Sequence, residues 1–186
     1  LGTKRRTMVR NQVVTLDSLS AHPVTIKCIN LAGAGLYTGS EENVLSMVLK
    51  VSYGEFDAVY GGDLSGANSG SYRDIETTVG PQVGPVEVYK VHHHGSATST
   101  AANWLSAIQA KIGVVSVGNT NSYGHPTAAA LGRLHTANVK TYWTELGAGV
   151  APLAGWDKYA NGQVIISATW QGGGVDTVRS NGVGGN

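Results

Sequence analysis

The chain has 186 residues, a formal charge of +1, 13% charged residues and 26 glycines. That length holds one domain with a sizeable core and not comfortably two. The charge balance supplies no long-range field for capturing nucleic acid, because the one basic cluster (Lys4, Arg5, Arg6, Arg10) lies at the N-terminus and reads as a solvated end.

Residues 8–16 and 22–30 are β-branched runs bounded by Ser, Asp and Gly, predicting two strands joined by a short turn, both of sheet-edge character. The second run contains the single cysteine, Cys28, which reads as a small core residue and excludes both an intramolecular disulfide framework and a Cys-rich zinc site. Residues 31–42 carry too many glycines for regular structure and read as a loop. Val44–Val51 and Asp57–Tyr60 predict a hairpin around Gly54 that ends at Gly61, Gly62 and Asp63. A short helix is expected over 71–80, with Ser71 as N-cap and Gly80 as terminator. Val86–Val91 is a strand, and Ser99–Ala110 a helix whose Trp104, Leu105 and Ile108 pack into the core. Ile112–Val117 is a nearly continuous apolar strand of the kind buried on both faces. A polar loop follows, then a helix over 127–136 with Leu131 and Leu134 inward, and strands at 139–143 and 163–170.

Strands alternating with single helices describe one layered α/β domain over residues 1–170, with a mixed sheet because the hairpin is antiparallel. The Gly-rich segment 171–186 reads as a disordered tail. No stretch approaches the roughly 18 apolar residues of a membrane span, and the chain opens without a signal peptide. A surface rich in Gly, Ser, Thr and Asn leans towards a soluble protein of extracytoplasmic or secreted location.

Three of the six histidines, His92, His93 and His94, stand in a row where the Val86–Val91 strand runs out. On an extended backbone His92 and His94 would share one face and His93 take the other. A solvated loop cluster or a tag remnant is the bland account, and the well-patterned flanks argue against the tag. Asp63 after one strand, His92–His94 after another and Asn121–His125 after a third occupy comparable strand-end positions, where open α/β sheets place their sites. Carboxylate and neutral imidazole suit zinc, manganese or iron, so Asp63 with a strand-end histidine amounts to half of a metal site.

These residues carry a resemblance. Asn43 to Asp63, Lys90-Val91-His92-His93-His94-Gly95-Ser96, Val115 to Asn119, Tyr123-Gly124-His125-Pro126 and Thr141 to Glu145 together resemble the C-terminal half of the metallo-β-lactamase superfamily, in particular the hydrolase domain of ComEC-type DNA-uptake competence proteins. The likeness runs from about residue 13 to 170, and His-His-Gly-Ser followed by Gly-His-Pro is its most specific part.

The resemblance implies half of an αββα sandwich holding two divalent metal ions, zinc or alternatively manganese, at the sheet edge. It implies that Asp63 bridges the metals, that His94 ligates one, and that His93 and His125 contact or protonate the substrate; His92 stays a third candidate, because alternation does not settle the register. Ser96 and Asn121 would be supporting donors behind these groups, or loop residues serving local backbone. The family's principal ligand motif, His-x-His-x-Asp-His, occurs nowhere in the chain, and His22 before Pro23 reads as a surface residue. The expected partner is therefore an N-terminal half of the same fold, from another chain or a segment outside this one. The expected activity is hydrolysis of a phosphoester or phosphodiester, in a small molecule or nucleic acid. An ester or lactam hydrolase and a non-catalytic module with a degenerate site are the other readings.

Overall fold

The computed structural model describes residues 7–170, 175 and 177–180. Its main element is an eight-stranded mixed sheet in the order β1 to β8. The strands are β1 (Val13–Leu16), β2 (Val24–Asn30), β3 (Val48–Tyr53), β4 (Phe56–Tyr60), β5 (Val88–Lys90), β6 (Ile112–Val115), β7 (Lys140–Trp143) and β8 (Asp157–Tyr159). Strands β1 to β4 pair antiparallel, and β4 to β8 pair parallel. The expected mixed α/β sheet is present. Of the two strands expected at an edge, β1 lies there, and β2 is flanked by β1 and β3.

Three helices cross between the parallel strands: α1 (Glu76–Val83), α2 (Ala102–Ile108) and α3 (Ala128–Thr136). Trp104, Leu105, Ile108, Leu131 and Leu134 are buried with Val59, Tyr89, Val115 and Trp143 in one core. The Thr127 hydroxyl caps α3 by accepting from Ala130 N. Helix α1 begins later than the sequence suggests, because Asp74, not Ser71, takes the Thr77 N–H and hydroxyl (2.9 and 2.6 Å). Nor does Gly80 end it. A β-carbon there would press on Ala107 and Trp104, so the glycine serves close α1–α2 packing.

The Val44–Val51 strand is likewise shifted, to Val48–Tyr53, with the preceding residues in a turn. Burial along β6 alternates, so this strand is not equally buried on both faces. Strand β8 lacks an apolar pattern. Its buried Asp157 explains its place, accepting from Leu153 N, the Thr141 hydroxyl and His135 Nε2 (2.7, 2.7 and 2.9 Å). Thr177–Ser180, within the tail expected to be disordered, forms β10 antiparallel to β9 (Val164–Ser167); the other tail residues, apart from 175, lie outside the described ones.

On the face away from the core cluster, cross-strand register aligns Ile26, Val51, Ala58, Val88 and Ile112 in one row and Leu49, Tyr60, Lys90, Val114 and Tyr142 in the next. Trp170 packs edge-on against Tyr53, which shares this face, at 5.5 Å between ring centres. Tyr60 on this face remains 47% exposed. Among the described residues no helix is long and apolar enough to cross a membrane.

Candidate active site

Asp63, the histidine row and the His125 loop follow β4, β5 and β6, three adjacent parallel strands, so all three clusters emerge at one edge of the sheet. Backbone hydrogen bonds tie them together. His93 N donates to Gly62 O (3.1 Å), joining the histidines to the Asp63 loop, while Thr127 N and its hydroxyl both donate to Gly95 O (2.9 Å each), joining them to the His125 side.

The alternation expected for the histidine row does not occur. Strand β5 stops at Lys90, and His92–Gly95 form a 3-10 turn in which His93 and His94 adopt positive φ of 48° and 54°. Left-handed backbone at a non-glycine residue costs on the order of 1–3 kcal/mol, and such strain concentrates at functional sites. The turn sends His92 into the core, fully buried, and His93 and His94 into the cavity at the sheet edge. His92 is thereby removed from the candidate ligands.

The His94 Nδ1–H donates to Ser116 O (2.6 Å), which fixes the tautomer and leaves Nε2 with its lone pair free. That Nε2 lies 3.6 Å from Asp63 Oδ1, too long for a hydrogen bond. It matches the separation of two donors that share one ion, since ligands about 2.0–2.2 Å from a tetrahedral zinc stand roughly 3.3–3.6 Å apart. Their chemistry and spacing thus fit a divalent cation. Among the described residues no group of three or more His, Cys, Asp or Glu side chains is gathered for a metal; Asp63 and His94 are a pair.

The cavity, about 410 Å³, is lined by Asn43, Asp63, Tyr72, His93, His94, Ser96, Tyr123 and His125. The His93 and His125 rings meet at 5.6 Å, and each has a buried Nδ1 without a hydrogen-bond partner. Burial pushes both imidazoles below their ordinary value. For His93 the Asp63 carboxylate opposes the shift and His94 adds to it; for His125 both neighbouring imidazoles add to it. Folding therefore suppresses proton uptake at these rings. Their contribution to stability is complete above the unfolded imidazole pKa, about 6.5, and is lost as pH falls through the lowered folded values. The urea midpoint of the metal-free chain should fall between pH 7.5 and pH 5, and His93→Gln/His125→Gln should fall less steeply. An equally steep decline in the double variant would contradict this.

Asn121 is a loop brace. Its side chain donates to Gly118 O and His125 O and accepts from His125 N, fixing the loop that carries His125. Ser96 bonds Thr98 while lining the cavity. His22 packs on Trp170 (4.1 Å between ring centres) at the β3–β4 turn, the sheet end opposite Asp63.

The sequence reading missed the support beneath the site. Glu76, fully buried, accepts from His92 Nδ1 (2.6 Å), Thr100 N (2.7 Å) and Ala101 N (2.5 Å). His92 N in turn donates to the Tyr89 hydroxyl, which bonds Thr100 Oγ1. A β-carbon at Gly61 would collide with His92, and one at Gly66 with Glu76, so the Asp63 loop lies directly on this buried pair. The available signal was Glu76 sharing a helical stripe with Val79, Gly80 and Val83. Tyr72 and Asn43, bonded to each other at 3.3 Å, carried no comparable signal.

The chain is similar to competence proteins. It is 32% identical over 108 residues to "Competence protein ComA" of Neisseria gonorrhoeae, which covers 57% of this chain and 15% of that protein. It is 26% identical over 106 residues to "ComE operon protein 3" of Bacillus subtilis, covering 57% of this chain and 13% of the relative. With "Recombination protein 2" of Haemophilus influenzae it shares 30% identity over 94 residues, half of this chain and 11% of the relative. The chain thus spans a small fraction of each relative's length. No family model matches it.

Proposed function

We propose that the chain is the C-terminal half of a metallo-β-lactamase-like αββα domain that hydrolyses phosphodiester bonds with divalent metal ions, its other ligands supplied by an N-terminal half. The observation that carries the reading is the Asp63–His94 pair, with Nε2 freed by the Ser116 carbonyl and 3.6 Å from the carboxylate. Similarity to competence proteins favours nucleic acid as substrate and a role in DNA uptake. The two cross-strand rows on the non-helical face, apolar except for Lys90, suit a surface for the partner half's sheet.

Asp63 and His94 would hold the metal, which when bound would supply Lewis acidity and a water acidified towards neutrality. His93 and His125 line the same cavity, on rings kept neutral near pH 7 by burial, and an N–H of each would donate a hydrogen bond to phosphoryl oxygens and stabilise developing charge. Phosphate charge would be met chiefly by metal, consistent with the weak net charge of +1.

Two donors are too few for tight binding, so zinc titrated into this chain alone should bind weakly, and His94→Ala should abolish that binding. With the N-terminal half present, zinc or manganese should bind near stoichiometry and hydrolysis of bis(p-nitrophenyl) phosphate should stop on chelation and return with metal. Tight stoichiometric zinc in this chain alone would rule out the half-site. An assembled domain that binds no metal would favour a non-catalytic module.

A further inference from the structure

A second cavity of about 410 Å³ adjoins the first and is lined by His94, Ser116, Val117, Gly118, Asn121, Tyr123 and His125. The two share His94, Tyr123 and His125 as a common wall. Tyr123 is 82% exposed, the most exposed aromatic ring beside the site, and lies nearly parallel to the His125 ring, at 16° and 6.0 Å between centres. A large aromatic ring left in solvent beside a reactive cavity, with one face towards the site and the other open, is a surface for a flat ligand group.

Three of the polar residues around it already have hydrogen-bond partners. Ser116 O accepts from His94, Gly118 O from Asn121, and the Asn121 amide is committed on both its oxygen and its nitrogen. With these hydrogen-bonding groups occupied and Val117 in the wall, the face of Tyr123 is the main surface the second cavity offers a planar group.

We propose that this cavity is a nucleobase pocket in which Tyr123 is the stacking surface, so that one nucleotide places its phosphodiester at Asp63 and His94 and its base against Tyr123. The inference rests on the phosphodiesterase reading and extends it: the substrate is single-stranded or locally unpaired, because a base must leave its stack to reach the tyrosine, and selection among bases is weak.

The test is fluorescence anisotropy with the full chain in EDTA at low salt, so that binding is read without turnover. The probes are oligo(dT), oligo(dA) and an abasic tetrahydrofuran-phosphate strand of equal length. Tyr123→Ala should weaken both base-bearing probes about 5- to 150-fold, the range for one lost base stack, and leave the abasic strand unchanged, while Tyr123→Phe retains affinity. Equal weakening of all three probes, no weakening of any, or no binding by the wild-type chain would overturn the proposal. Base-dependent binding by this chain, together with no metal-dependent hydrolysis once the N-terminal half is present, would uphold the pocket and refute the hydrolase reading; hydrolysis by the assembled domain indifferent to Tyr123→Ala would refute the pocket alone.

Discussion

Glu76→Ala should lower folding stability by about 3–5 kcal/mol, because three buried donors lose their acceptor at once. The change leaves His92 Nδ1, Thr100 N and Ala101 N without their acceptor where water does not reach, and it opens space beneath Gly66. For a chain of this size the melting temperature would drop by roughly 6–20 °C. Glu76→Gln preserves the volume and part of the accepting capacity, so its cost should be distinctly smaller. Urea denaturation of the three proteins decides the matter. A loss under about 1 kcal/mol for the alanine variant would mean that the network contributes little to stability.

The largest effect on activity should come from Asp63→Ala. Without the carboxylate the assembled site loses a proposed metal-bridging ligand, and several kcal/mol of transition-state stabilisation correspond to about a thousandfold or greater fall in turnover. Folding should be nearly unaffected, because the side chain is about one-third exposed (35%) and its ionic neighbour, His94, stands 3.6 Å away. Turnover near the wild-type level, measured alongside an unchanged melting temperature, would remove Asp63 from the mechanism.

Local pattern was enough to place most elements within a few residues. Trp104, Leu105 and Ile108 at helical spacing and β-branched runs ending in glycines gave helices and strands whose apolar sides had to meet, and the hairpin at Gly54 required a mixed sheet. The nomination of Asp63, His93, His94 and His125 came from strand ends and from family likeness, and the fold brings all four to one cavity.

What the sequence left open was decided by contacts between distant segments. Period-two alternation assumes an extended backbone; at His92–Gly95 the bonds from His93 N to Gly62 O and from Thr127 to Gly95 O accompany a left-handed turn, which buries His92 and turns its two neighbours outward. Glu76 looks like an ordinary early-turn acid until the chain places His92 and two backbone N–H groups around it. Strand β8 is likewise specified by the hydrogen bonds of Asp157 to residues 4 to 22 positions away, not by an apolar pattern of its own. The sequence determined which segments carry polar chemistry at strand ends, because that depends on residue type and local periodicity. Tertiary structure decided which histidine faces the site and which is core, because backbone handedness and buried hydrogen bonds there are set by partners remote in the chain.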